Sequence, residues 1–136
     1  MDERFELLRR GYATFNEGEF DLSVLHPEIC VVQNDAIVGT AGEFHGHEGM
    51  RRAWEELREG FDPLSFEPEK IDELDDGRLL VRCRWTGRGT ASGIEMDAPV
   101  WHLCSFRDGL LSRMEVYASK RDALKAAGVQ ISPRTD

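Results

Sequence analysis

The stretch WHLCSFRDGLLSRMEVY, residues 101–117, decides how this chain is read. Asp108-Gly109 sits between two runs rich in strand-forming residues, a strong signal for a tight hairpin. Taken as a two-residue turn, it sets a register in which Arg107 faces Leu110, Cys104 faces Arg113, His102 faces Glu115 and Val100 faces Tyr117. A three-residue turn with a bulge would instead move Glu115 to the other face; the two-residue register is preferred. Ala91-Ser92, read as a second two-residue turn, sets Cys83 opposite Val100 and Val81 opposite His102.

Alternation then sorts side chains into two faces. One holds Val81, Cys83, Trp85, Met96, Ala98, Val100, His102, Cys104, Arg113, Glu115 and Tyr117. The other holds Arg82, Arg84, Thr86, Arg88, Glu95, Asp97, Trp101, Leu103, Met114 and Val116. The first is expected inside, because helices cover apolar faces. Its polar quartet, His102, Arg113, Glu115 and Tyr117, then needs mutual pairing or a ligand. The apolar patch Trp101, Leu103, Met114 and Val116 on the second face suggests a contact between two subunits.

Outward from the hairpin, strands are expected over 66–74, 78–89, 94–106 and 110–118, with Asp75-Asp76-Gly77 as a turn. Gly87 and Gly89 inside a strand imply strong bending of the sheet. Toward the N-terminus, Phe5, Leu8, Tyr12 and Phe15 recur at helical spacing, and Gly18 reads as a stop. Residues 20–25 read as a short helix capped by Asp21, 29–33 as a strand, Asn34-Asp35 as a turn and 36–38 as a second short strand. A loop through Gly46 and Gly49 leads into a helix over about 47–60, marked by Met50, Ala53, Trp54 and Leu57. A short helix over 119–127 stops at Gly128, giving one domain over 1–128 and a disordered tail over 129–136. Helices first and a meander of strands afterwards is an α+β order, with helices covering one face of an antiparallel sheet.

Bulk properties narrow the function. The chain has 136 residues and a formal net charge of −9. That balance opposes binding to nucleic acid, which rests on clustered Lys and Arg. No apolar run nears the roughly 20 residues that span a bilayer. The opening MDERFELLRR lacks a signal-peptide core, so a cytoplasmic location is expected. Cys30, Cys83 and Cys104 form no paired spacing and read as free thiols. Arg82, Arg84 and Arg88 face Glu95 and Asp97 and read as cross-strand ion pairs rather than a phosphate stripe. His45, His47 and Glu48 match no zinc spacing and read as loop residues at a helix start, and His26 as a surface residue. No metal and no cofactor are expected.

Three runs carry a resemblance. FHGHEGMRRAW, residues 44–54, resembles the aromatic–x–Gly–x–x–Gly helix entry of SnoaL-like proteins in the NTF2-like superfamily. VRCRWTGRGTASG, residues 81–93, resembles the arginine- and glycine-rich hairpin of bacterial members. WHLCSFRDGLLSRMEVYASKRDAL, residues 101–124, resembles their final hairpin and terminal helix. The likeness implies an NTF2-like cone, in which N-terminal helices lie on the concave face of a curved sheet around a pocket. It also implies a homodimer, here through the sheet face bearing Trp101 and Val116. Activities in the superfamily include polyketide cyclases, ketosteroid isomerases, epoxide hydrolases and dehydratases. The cyclases carry a pocket His and a catalytic Asp on their last strands. His102 stands at the His, and no Asp follows on the last strand, where Glu115 is the nearest acid.

His102 and Glu115 are therefore the candidate acid–base pair, with Tyr12, Trp54, Trp85, Arg113 and Tyr117 as candidate substrate-binding residues. Two functions stay open. One is a cofactor-independent enzyme moving a proton on a small apolar substrate, in isomerase, cyclase or hydratase-like chemistry. The other is a non-catalytic domain that binds or sequesters such a ligand.

Overall fold

A computed structural model describes residues 3–19, 21–33 and 42–131. In chain order it contains α1 (Glu3–Asn16), a 3-10 turn (Leu22–Val24), β1 (Leu25–Gln33), β2 (Gly42–His45), α2 (Gly46–Gly60), β3 (Phe61–Glu73), β4 (Leu79–Gly89), β5 (Glu95–Arg107), β6 (Leu110–Tyr117) and α3 (Lys120–Ala127). The strands form one sheet in the order β2-β1-β6-β5-β4-β3. All neighbours are antiparallel except β1 and β6, which run parallel. The Asn34-Asp35 turn and the 36–38 strand lie outside the described residues. Among the described residues β1 pairs with 42–45, within the stretch expected to be loop.

Helical spacing places α1 and α2 on the concave face. Leu8 and Tyr12 are buried on α1, and Gly49, Ala53 and Leu57 on α2, each set four residues apart. Gly49 lets α2 approach β2 closely: a Cβ there would lie 3.1 Å from the Phe44 backbone, tighter than ordinary contact. Asn16 locks the end of α1 to β3. Its side-chain amide donates to the Phe66 carbonyl at 2.8 Å, and its oxygen accepts from the Phe66 N–H at 2.8 Å.

The third helix lies on the other side of the sheet. Ser119 caps it by accepting from the Asp122 N–H, and Gly128 ends it at φ +72°. Ala123 and Leu124 pack with Leu74, Leu80, Leu103 and Trp101 in a second apolar cluster. The chain past 128 joins that cluster: Ile131 bridges to Leu74, and the Asp75 N–H donates to the Gln130 carbonyl. The tail expected to be disordered from 129 is thus held as far as Ile131.

Register is where expectation and structure part. The β4–β5 ladder pairs Val81 with His102 and Cys83 with Val100, as expected, although the connection spans Thr90–Gly93. The Asp108-Gly109 turn is also the tight one, with φ of +55° and +77°, and Arg107 faces Leu110. Between Phe106↔Leu111 and Ser105↔Arg113, however, Ser112 is extra. This β-bulge sets two residues of β6 against one step of β5 and flips everything beyond it. Leu103 therefore faces Glu115, and His102 faces Val116.

Two expectations fall with that flip. Arg113, Glu115 and Tyr117 lie on the outer face, opposite His102. Met114 and Val116 point inward, so the proposed subunit patch does not exist as a unit. Leu103, 0% exposed, is covered by α3 and the following residues of its own chain. The feature that suggested a second subunit is the seat of the terminal helix.

Candidate functional site

The concave face and its two helices enclose a cavity of about 110 Å³. Leu8, Tyr12 and Phe15 reach it from α1, Met50, Ala53, Trp54 and Leu57 from α2, and Val31 and Gln33 from β1. Phe66 on β3, His102 on β5 and Leu111, Met114 and Val116 on β6 close the wall. The buried polar side chains among them are Tyr12, Gln33 and His102. Exposed Glu19 stands at the rim.

Tyr12 and His102 are joined by a 2.6 Å hydrogen bond between the phenol oxygen and Nδ1. Their rings stack at 5.7 Å, and Phe66 flanks the imidazole at 5.6 Å. The Cys83 thiol lies 3.7 Å from the same Nδ1. Among the described residues nothing hydrogen-bonds to Nε2. Alternation on β5 and the α1 periodicity aim these two side chains at one point. Neither signal alone predicts the bond, because it spans the sheet and a helix.

The buried groups His102, Tyr12, Cys83 and Cys104 are neutral at physiological pH. Burial pushes the His102 imidazole down from 6.5 to about 4. It pushes the Tyr12 phenol well above 10.0, with Cys83 and Cys104 adding to the rise. It pushes the Cys83 thiol up to about 12 and the Cys104 thiol higher still. No carboxylate offsets these costs at the imidazole, since Glu115 is on the opposite face. With the Tyr12 phenol as the donor in this bond, the neutral imidazole carries its proton on Nε2 and presents it as a donor; with the other tautomer Nδ1–H donates to the phenol oxygen and Nε2 is an acceptor.

This has a consequence for stability. At about pH 6.5 and below the unfolded chain protonates His102, while the fold refuses that proton down to about pH 4. The contribution is therefore present above pH 6.5 and is lost as pH falls toward 4. Between pH 6.5 and about 4.5 the loss is on the order of 2–3 kcal/mol. Urea midpoints measured at those two pH values should show it, and His102→Gln should remove that part of the pH dependence. An unchanged dependence in the variant would place the titration elsewhere.

The other candidate residues sort as follows. Trp54 lines the cavity as expected. Trp85 does not: it is 2% exposed and packs against Phe61 at 5.0 Å and Phe66 at 6.2 Å. Glu115 accepts from the Tyr117 hydroxyl at 2.7 Å and lies 3.4 Å from Arg113 Nε, all on the outer face. The quartet is therefore a trio outside and a histidine inside. Arg84 pairs with Asp97 through Nε at 2.8 Å as expected, while Arg82 lies 3.7 Å from Glu69 on β3 rather than from an acid of β5. His47 Nε2 sits 3.0 Å from the Leu25 carbonyl and Glu48 pairs with Arg51, so His45, His47 and Glu48 form no cluster. His26, expected at the surface, is 8% exposed beneath Arg107, whose Nε donates to it at 3.2 Å.

Sequence reasoning missed Gln33, Met114 and Val116 as cavity residues. A signal for the last two was present: Leu111, Met114 and Val116 are spaced three then two, which one inserted residue reconciles with a single face.

Comparison with known proteins agrees with this architecture. Among described helices none is long and apolar enough to cross a membrane. No curated protein matches the chain. TerC co-crystallised with polyporic acid superposes with a TM-score of 0.75 at 21% identity, covering 91% of this chain and 97% of that one. An NTF2-like protein of unknown function from Burkholderia pseudomallei K96243 gives 0.77 at 17%, covering 92% and 97%. A candidate SnoaL-like polyketide cyclase from Jannaschia sp. CCS1 gives 0.71 at 19%, covering 98% and 94%. At these identities the likeness establishes the fold. The SnoaL-like domain family matches residues 8–114, and the chain belongs to that family.

Proposed function

We propose that this protein binds a small, uncharged, largely apolar carbonyl compound in the concave cavity and acts on it without a cofactor. The observation that carries this is the neutral Tyr12–His102 pair set among apolar side chains. Tyr12 holds Nδ1, and the Nε2–H donates to the ligand's carbonyl oxygen. An imidazole held neutral by its surroundings can polarise a carbonyl as an electrophile and acidify the adjacent C–H bond; this electrophilic part of an enolisation or ring closure is what the pair supplies, and the released proton passes to solvent water at the cavity mouth. A charged ligand would lose its hydration with no counter-ion among the buried lining groups. TerC, co-crystallised with polyporic acid, supports an organic ligand in this fold. A homodimer, which the family resemblance implies, would use the partly exposed outer surface near Trp101 and Tyr117, beside α3.

The test is fluorescence. Trp54 lines the cavity, while Trp85 is in the core and Trp101 on the outer face. A panel of neutral aryl ketones should quench emission saturably, and Trp54→Phe should remove the quenching. Carbonyl-free analogues of the same shape should bind about two- to tenfold more weakly, the worth of one neutral hydrogen bond. Quenching that persists in Trp54→Phe, or equal affinity for both series, would overturn the reading.

A further inference from the structure

On the outer face of the β1–β2 ladder, away from the cavity, three side chains of metal-binding type converge. Cys30 and His45 are direct partners across the ladder, and Glu43 pairs with Val32 two residues further along. Partners and their second neighbours share a face, so the strand register alone brings the three together. Their ligand atoms, Sγ, Nε2 or Nδ1, and a carboxylate oxygen, all lie within 4.8 Å of one another. His45 Nε2 is 3.4 Å from Glu43 Oε1, and Cys30 Sγ is 3.9 Å from the same oxygen.

We propose that Cys30, Glu43 and His45 bind a divalent metal ion of the zinc class, with water as fourth ligand. One sulfur, one imidazole nitrogen and one carboxylate oxygen form a donor set that suits zinc or cobalt and not magnesium or calcium. Tetrahedral sites with bonds of about 2.0–2.3 Å hold ligand atoms roughly 3.3–3.8 Å apart. Closing the group takes about an ångström of side-chain rotation. His45 and Glu43 have that freedom, at 70% and 60% side-chain exposure. Arg113 Nη1 already donates to Cys30 Sγ at 3.5 Å while its Nε lies 3.4 Å from Glu115. An outer donor to a ligating thiolate is the usual support around such sites. Binding converts the Cys30 thiol to a thiolate and releases one proton to solvent; no redox change occurs.

The experiment is a cobalt(II) titration of the full, untagged chain, followed by displacement with zinc. The expected result is a thiolate-to-cobalt charge-transfer band in the near ultraviolet, saturating at one metal per chain. Cys30→Ser should abolish the band; Cys83 and Cys104, both 0% exposed, cannot supply it while the protein is folded. His45→Ala and Glu43→Gln should each raise the dissociation constant at least about tenfold, since even outer partners of a metal site are worth that much. Unchanged circular dichroism in each variant ties the loss to ligation. The absence of a band, its survival in Cys30→Ser, or unaltered affinity in both other variants would refute the site.

Discussion

Trp85→Ala should cost about 3–5 kcal/mol of folding stability, the range for truncating a large buried aromatic residue. The indole is 2% exposed, edge-on to Phe61 and stacked near Phe66, and it belongs to the main apolar cluster. Gly87 lies against the same ring, where a Cβ would come 2.9 Å from it and 3.1 Å from the Pro63 carbonyl, so position 87 offers no side chain to fill the space. A domain of this size is stable by roughly 5–15 kcal/mol, so the variant gives up a large share. A urea midpoint that shifts without a change in slope would show it. A drop in ligand affinity at unchanged stability would restore Trp85 to the pocket role expected from alternation.

His102→Ala should leave the protein folded and strip it of function. Where a bound carbonyl compound is turned over, kcat should fall about 10²–10³-fold, the range for removing one donor to a developing oxyanion. Glu115→Gln should leave kcat unchanged, because its side chain contacts Tyr117 and Arg113 on the far side of the sheet. The pair of variants separates two mechanisms. Equal losses in both would revive the cross-strand acid–base pair; a loss in His102→Ala alone supports a neutral imidazole held by Tyr12.

The element order is legible in the sequence. Periodicity placed α1 and α2, Asp-Gly placed the last hairpin, and Gly128 ended α3. Of the site, Tyr12, Trp54 and His102 were legible because each falls on an apolar face. Their bond was not, since it joins residues 90 apart whose meeting depends on helix–sheet packing. Trp85 was misplaced for a related reason: alternation says inward, yet inward includes both core and cavity, and only the positions of Phe61 and Phe66 divide them. Glu115 was misplaced by counting from a correctly read turn through a bulge. Leu103 was read as a subunit contact because a face opposite the expected helices looked vacant, whereas α3 covers it.

The residue at 112 works like a frameshift in a message read every second letter. Upstream of it β6 spells one wall; past it the same letters are assigned to the other wall. Comparing this chain column by column with relatives therefore carries a hidden hazard: a gap set one position away from Ser112 would equate Met114, a cavity residue, with acids or cations that face outward. Alignments of such sheets are best anchored on pairs across the ladder, such as Cys104 with Met114, and only then on letters along the chain.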